Sequence, residues 1–425
     1  MEFPEKALDS PAGREALRII DRLREAGFVS VLAGGCVRDA LLGRPPKDFD
    51  VATDATPDSV QQVFGRRQTI AFGASFGVIG VLPPKSKQKP SATVTPTEVA
   101  TFRADGNYSD GRRPDHVTYG TAEADASRRD FTINGLFYDP SRREILDYVG
   151  GIPDLELMHL RTIGNAHRRF DEDKLRMLRA VRFVTTLGLT VEEATLSAIE
   201  AHADSISLVS GERIGAEMRR VACHRNAVVG YKMLVDAGLQ KHVWPSLENG
   251  DWTVLETRLR RAEQGSFAGS VSFEVGMSTA LSSLHSSTGA AIDDLKEIAN
   301  RWRLSTAEQR SIETAIRLAP EIVDCADAAW SHLQPILIDR DIDAVIATAA
   351  ALAEDRRGVE RAIRELQREP SSLNPEPLLS GNDLIQSGIT PGPKFRSWLS
   401  EIRRMQLDGK INCADDAMAW VQKQS

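Results

Sequence analysis

Cysteine is scarce in this chain. Four residues in 425, Cys36, Cys223, Cys325 and Cys413, stand far apart and form no metal-ligand spacing. Reduced thiols in a cytosolic protein are therefore expected. The eight histidines include no His-x-x-His and no His-Asp dipeptide, so neither a zinc site nor a His-Asp metal hydrolase is expected. No apolar run is long enough to cross a bilayer, and no membrane partner is expected. The first residues, Met1-Glu2-Phe3-Pro4-Glu5-Lys6, hold no basic region followed by an apolar stretch, so no secretory signal is expected. There is no Walker-type loop, serine nucleophile elbow or dinucleotide fingerprint. Net positive charge is lacking too. The formal charge is −7, which taken alone argues against a nucleic-acid partner.

What is present has an uneven distribution. Hydrophobic residues at 41% and charged residues at 27% describe an ordinary globular protein, and the length predicts two to four domains. The arginines cluster. Arg66-Arg67, Arg112-Arg113, Arg128-Arg129, Arg142-Arg143 and Arg168-Arg169 precede Arg176, Arg179 and Arg182. An acidic protein can hold a basic cleft, because exposed charges are screened beyond about 8–10 Å.

Periodicity separates the chain into two textures. Ala16, Ile19, Ile20 and Leu23 predict an amphipathic helix over 11–26. A strand at Val29–Ala33 runs into a Gly-Gly turn and a helix from Val37 to Leu42. Asp48–Ala52 is the next strand, and Thr56-Pro57-Asp58 caps a helix through Phe64. Phe76–Leu82 and Glu98–Arg103 read as a hairpin around a polar, lysine-bearing insertion at Pro83–Thr97, expected to be mobile. Ile133–Tyr138 completes a small mixed unit. After about residue 155 strand signals fade, and Leu175–Leu187, Val191–His202, Gly211–Cys223 and Ala227–Ala237 read as helices. Helical spacing continues through 251–370, a Pro/Ser/Asn linker spans Pro370–Pro377, and Gly381–Gln424 forms a last helical unit. No internal repeat is visible.

Three constellations carry chemistry. In the first, Gly34-Gly35-Cys36-Val37-Arg38-Asp39 is followed, ten residues past Arg38, by Asp48-Phe49-Asp50. Glycines let a turn approach phosphate closely. Aspartates at i and i+2 on a strand share a face, a hard-oxygen pair suited to Mg²⁺. Glu98, opening a strand expected beside that of Asp48, is the natural third carboxylate or else an edge-strand surface residue. In the second, Arg129, Asp130 and Asn134 of Arg128–Asn134 could bind triphosphate and ribose hydroxyls, or form a surface ion pair. In the third, Glu172–Phe183 read as one helix places Asp173, Arg176 and Arg179 at successive i+3 steps. That stripe is either a solvated salt-bridge ladder or a base reader. As a reader, Asp173 accepts from the exocyclic amine of cytosine or adenine while Arg176 donates to the ring nitrogen. Uracil and guanine would set a carbonyl oxygen against the carboxylate, acceptor facing acceptor.

Together with Arg112-Arg113-Pro114, Gly381-Asn382-Asp383-Leu384 and Pro391-Gly392-Pro393, these motifs resemble the class II tRNA nucleotidyltransferases, the bacterial CCA-adding enzyme and poly(A) polymerase group of the polymerase β superfamily. The resemblance spans nearly the whole chain. It implies an α+β protein: a small mixed α/β head at 1–155 followed by an all-α neck at 156–225, body at 226–370 and tail at 371–425. It implies Mg²⁺ on Asp48 and Asp50, nucleotide on Gly35, Arg38 and Arg129, and base readout by Asp173 and Arg176 with Arg179 and Arg182 in support. The implied activity is template-independent addition of C, C and A to the 3′ end of tRNA from CTP and ATP, in the cytoplasm. The alternatives are a poly(A) polymerase, an A-adding-only enzyme, and a catalytically inactive RNA-binding protein of the same fold. The insertion at Pro83–Thr97 departs from the family, which has a shorter hairpin there. Phe72–Ile79 is similar to the CCA-adding form, and the loop retained before Arg112-Arg113-Pro114 argues against a CC-adding specialist. The sequence does not specify an oligomeric state.

Overall fold

The helix expected over 11–26 forms at Pro11–Glu25 (α1) in the computed structural model of the chain, which describes residues 1–73, 77–84, 95–106, 117–265 and 271–424. The Ser10 side chain caps α1 by accepting from the Gly13 N–H at 3.0 Å. Ala16, Ile19, Ile20 and Leu23 are buried on one face, as the 3.6-residue period requires.

The strands Ser30–Ala33 (β1), Asp50–Thr53 (β2), Thr69–Gly73 (β3), Val78–Val81 (β4), Thr97–Thr101 (β5), Arg103–Asp105 (β6), Val117–Tyr119 (β7), Leu136–Asp139 (β8) and Glu144–Asp147 (β9) follow. Seven of them form one mixed sheet in the order β3-β4-β5-β2-β1-β8-β9, and β6 pairs with β7 separately. The β4–β5 pair is the expected hairpin. Strand β3 is not among the expected elements; its Thr69-Ile70-Ala71-Phe72-Gly73 is short and follows the polar Arg66-Arg67-Gln68. The β5 strand lies between β4 and β2, so Glu98 is not on an edge strand.

Helices Gly35–Leu41 (α2), Pro57–Phe64 (α3), Ala122–Ser127 (α4) and Gly151–Glu156 (α5) belong to the same region. Thr56 caps α3 by accepting from the Ser59 N–H at 3.2 Å. The helical remainder comprises Ala166–Glu172 (α6), Leu175–Leu187 (α7), Glu193–His202 (α8), Gly211–Ala222 (α9), Ala227–Asp236 (α10), Gln240–Val243 (α11), Trp252–Gly265 (α12), Phe273–Leu284 (α13), Thr288–Trp302 (α14) and Thr306–Val323 (α15). It continues through Trp330–Leu337 (α16), Ile342–Leu352 (α17), Arg357–Leu366 (α18), Pro370–Leu373 (α19), Gly381–Gln386 (α20), Lys394–Leu407 (α21) and Ala414–Gln422 (α22). The α+β class is as expected. Among the described residues no helix is long and apolar enough to cross a membrane.

Four local expectations need correction. Asp48 and Phe49 precede the strand, which begins at Asp50. The segment Ile133–Tyr138 starts as a 3-10 turn over Thr132–Asn134 and becomes strand only at Leu136. Val191 does not open a helix: Thr190–Val191 pairs in parallel with His159–Leu160, so strand persists past residue 155. The linker at Pro370–Pro377 contains the one-turn α19, with Pro370 at its first position, where a missing N–H costs nothing. Within Pro83–Thr97, positions 85–94 lie outside the described residues, as do 74–76 and the loop 107–116 that holds Arg112-Arg113-Pro114.

Two compact units divide the chain: Met1–Ile214 with Lys232–Val243, and Gly215–Tyr231 with Trp244–Ser425. The first is built on the sheet. The second has an all-helical core that includes Ala315, Ile322, Leu333, Val345 and Val359, and a terminal cluster around Leu384, Ile402 and Val421. An ion pair joins two of its helices. Arg219 on α9 donates to both carboxylate oxygens of Glu308 at 2.6 and 2.9 Å. Glu308 also closes a capping box with Ser305 at the start of α15. The Arg219 bond, aided by Ser305, holds the Glu308 carboxyl at about 2. A depressed carboxyl stabilises above its unfolded value and loses that contribution as pH falls toward the folded one. Glu308→Gln should therefore lower the melting temperature at pH 7, and the gap from the parent should close between about pH 4.5 and pH 2. Thermal unfolding across that range checks this; a gap independent of pH would refute it.

Candidate active site

The sheet register assembles the site. Ala33, the last residue of β1, pairs with Asp50, so the turn at Gly34 opens beside that carboxylate. Parallel pairing of Val51 with Val99 brings Glu98 alongside the start of β2. On the other side of β1, the Gly34 N–H donates to the Leu136 carbonyl at 2.9 Å, next to Asn134. Three sequence-distant segments thus meet at one end of the sheet.

Gly34, not Gly35, is the residue the backbone demands. Its φ is 69°, and a Cβ there would stand 2.5 Å from Nη1 of Arg129. Gly35 begins α2, and a Cβ there would meet only Nη2 of Arg38 at 3.7 Å. Asp48 and Asp50 are exposed while Phe49 between them is buried, so the side-chain alternation holds although the strand starts late.

Although part of Asp50 reaches solvent, the protein packed around its carboxyl desolvates it and raises it to about 6; the charges of Glu98 and Asp48 add to the rise, and Arg129 opposes it. Desolvation leads, and the two charge effects show that three carboxylates which repel one another share the neighbourhood. Oxygen-only donors with excess negative charge suit a hard divalent cation. Among the described residues no three His, Cys, Asp or Glu side chains converge enough to hold an ion by themselves. This fits a cation held by one or two carboxylates and completed by substrate phosphate and water.

Beside the acidic edge lies a cavity of about 550 Å³ whose described lining includes Gly34, Gly35, Asp50, Asp130, Asn134, Asp173, Leu175 and Phe183. Eight arginines also line it: Arg38, Arg103, Arg128, Arg129, Arg176, Arg179, Arg182 and Arg213. Against three aspartates they leave an excess of five positive charges in a chain of net charge −7. Such a field attracts a polyanion. A second cavity, of about 370 Å³, opens at Arg161–His167 and Glu192–Ser197. It holds none of the candidate residues, and its Arg161 and Glu192 charges cancel.

A buried polar network holds the arginines. Asp125 accepts from Arg128 at 2.6 and 2.8 Å and from Arg129 at 2.9 and 3.2 Å. Burial would raise its carboxyl, but the two arginines win and lower it. Asp130 accepts from the Phe131 N–H at 2.8 Å, from Asn134 Nδ2 at 2.9 Å and from Arg179 Nε at 2.7 Å. Burial opposes ionisation there too, yet Arg179 and these donors hold Asp130 at about 2. Asn134 Oδ1 in turn accepts from Arg38. Asp130 and Asn134 thus face protein partners and orient Arg179 and Arg38. The guanidiniums of Arg182, Arg38 and Arg179 lie 4.1, 5.1 and 5.7 Å from the Phe183 ring centroid, a cation–π platform.

The third constellation is rearranged. Helix α6 ends at Glu172 and α7 begins at Leu175, so Asp173 lies in the break, with φ −149°, and is not on the α7 stripe. Arg176 is buried and donates to Glu172 at 2.9 Å, to the Arg169 carbonyl at 3.1 Å and to the Arg128 carbonyl at 3.3 Å. Asp173 pairs instead with Arg213, at 2.8 and 3.1 Å. A salt-bridge ladder along one helix is thereby ruled out. Sequence reasoning missed Arg103, Arg128 and Arg213 as cavity residues. The doublet with Arg129 was the available signal for Arg128; Ser210-Gly211-Glu212-Arg213 signalled only a helix start.

Comparison with known proteins bears on the family. Residues 30–161 match the family described as Poly A polymerase head domain, and 188–250 match the probable RNA and SrmB-binding site of polymerase A. The CCA-adding enzyme of Geobacillus thermodenitrificans is 32% identical over 427 residues, covering 98% of both chains. Poly(A) polymerase I of Haemophilus influenzae is 36% identical over 246 residues, covering 55% of this chain and 52% of its own. The crystal structure of the Bacillus stearothermophilus CCA-adding enzyme in complex with CTP superimposes with a TM-score of 0.75 at 26% identity, covering 98% of each chain. On similarity that runs from end to end, this chain belongs to the CCA-adding enzyme family, the class II tRNA nucleotidyltransferases.

Proposed function

We propose that the chain adds C, C and A to the 3′ end of tRNA, from CTP and ATP, at the cavity beside Asp48 and Asp50. The observation that carries the reading is the meeting of a carboxylate edge with an arginine-lined cavity that contains Asp173. Asp48 and Asp50 would hold Mg²⁺, with Glu98 adding a third negative charge. When bound, the ion lowers the pKa of the RNA 3′-hydroxyl and neutralises charge on the leaving pyrophosphate. The 3′-hydroxyl would give its proton to a carboxylate of the acidic edge, Glu98 being the candidate, as its oxygen bonds to the α-phosphorus; the α–β phosphoanhydride bond breaks and pyrophosphate departs. Arg38 and Arg129, anchored through Asn134 and Asp125, present fixed positive charge to the triphosphate. Arg179 and Arg182, stacked about Phe183, extend that field. Asp173 and Arg176 read the base edge. The setting is the cytoplasm, with which four free cysteines agree.

The test is incubation of purified protein with tRNA ending at the discriminator base, CTP, ATP and Mg²⁺. Extension by three nucleotides is expected. Long A tails would make the chain a poly(A) polymerase, the activity named for its Haemophilus relative. Addition of A alone would make it an A-adding enzyme, and no extension would leave an inactive RNA-binding protein. Asp173→Ala should reduce the preference for CTP over UTP by about 10²-fold, because it removes the acceptor that a uracil carbonyl cannot face. Competition assays with mixed nucleotides measure this; unchanged preference would remove Asp173 from base readout.

A further inference from the structure

In the proposed reaction a nucleoside triphosphate has to reach two groups at once. Its phosphates meet the turn at Gly34 and Arg38 of α2, and its base meets Asp173 and Arg176 at the start of α7. The length of the ligand is fixed, so the spacing of the two groups decides whether both ends are held. Helix α7 is anchored along one face, on residues three or four apart. Arg176 donates to the Arg128 carbonyl at 3.3 Å, Arg179 donates to Asp130 at 2.7 Å, and the Phe183 ring centroid lies 5.1 Å from the guanidinium of Arg38.

The last anchor is not in the cavity lining. Arg44, three residues past α2, donates from Nη1 to the Thr186 carbonyl at 2.6 Å and from Nη2 to the Leu187 carbonyl at 3.2 Å. Both carbonyls are among the last four of α7, which lack partners within the helix. The Gly188 N–H donates to the Val184 carbonyl at 3.0 Å, which leaves these two to Arg44. A planar guanidinium spans two such acceptors and meets the negative end of the helix dipole. Arg44 is in turn fixed to α2. Its N–H donates to the Asp39 carbonyl at 2.9 Å, after a turn at Gly43 with φ 68°. A hydrogen-bonded path thus runs from the helix of Arg38 to the C-terminal end of α7. We propose that Arg44 is a positioning residue: it sets the spacing between the phosphate-binding turn and α7, so that one nucleoside triphosphate is held at both ends. This rests on the reading of the cavity as the nucleotide site.

Equilibrium binding of CTP and of pyrophosphate to the full chain, each with Mg²⁺, tests it. Pyrophosphate reaches only the phosphate side, whereas CTP needs both groups. Arg44 is exposed, so water competes for its two bonds and the effect is modest. Arg44→Ala should weaken CTP binding by about fivefold and leave pyrophosphate binding as in the parent. Arg44→Lys should show a smaller loss, because an ammonium caps a carbonyl but lacks the planar fork. If Arg44→Ala does not fold, Arg44→Gln and Arg44→Lys are judged by the same pair of affinities. A merely structural role would lower the melting temperature and leave the ratio of the two affinities unchanged. That unchanged ratio, or one shifted by loss of pyrophosphate binding, would overturn the proposal. The parent separates the two readings. If it binds pyrophosphate but not CTP, the nucleotide-site reading falls and the role of Arg44 with it; if it binds both and the variants keep its ratio, only the role of Arg44 falls.

Discussion

Asp48→Ala and Asp50→Ala should each lower the rate of CTP incorporation by at least about 10³-fold, roughly 4 kcal/mol of lost transition-state stabilisation. Retained tRNA binding would place the loss in the chemistry. The structure adds a readout independent of activity. Asp50 is pushed up to about 6 by its surroundings and by Glu98 and Asp48. A carboxyl raised above its unfolded value costs stability wherever it is ionised, so at pH 7 its charge works against the fold. Asp50→Asn, measured without divalent cation, should therefore melt at or above the parent temperature while incorporation is lost. The parent should gain stability on adding Mg²⁺, by mass action on the folded state, and the variant should gain less. An active Asp48→Ala or Asp50→Ala would end the metal assignment. An inactive Asp50→Asn that melts well below the parent would show a structural role instead.

Gly276→Ala should destabilise the helical unit by about 2–3 kcal/mol. A Cβ at Gly276, on α13, would stand 2.2 Å from the Ala222 carbonyl oxygen at the end of α9. Helix propensity pulls the other way, since alanine is favoured over glycine by about 1 kcal/mol in a helix interior. The clash wins because its partner is backbone, which cannot swing aside as a side-chain tip could. For a unit of this size the melting temperature should fall by roughly 5–10 °C. A variant as stable as the parent would mean that α13 and α9 separate without cost.

Much of the architecture was legible because short-range rules govern it. The apolar period over 11–26, the Thr56-Pro57 start of α3 and the alternation that buries Phe49 between two aspartates need no distant partner. Residues 175–187 matched α7 at both ends because Leu178, Val181 and Phe183 face a core and Gly188 stops the helix in the left-handed conformation. Strand β3 was not legible, since its pairing with β4 supplies what its own pattern lacks. The break at Asp173 was missed because Glu172–Phe183 has continuous helical character in sequence.

Family, fold class and the identity of the acidic and basic residues follow from the sequence alone, because spacing and side-chain chemistry are local properties. Their partnerships do not. Register in the sheet puts Glu98 beside Asp50, and packing hands Asp130 to Arg179 and Asp173 to Arg213. A carboxylate pairs with whichever cation the folded backbone brings within about 3 Å. For Asp130 and Arg179 that distance is set by residues 49 positions apart, on which the i+3 rules of a single helix have no bearing.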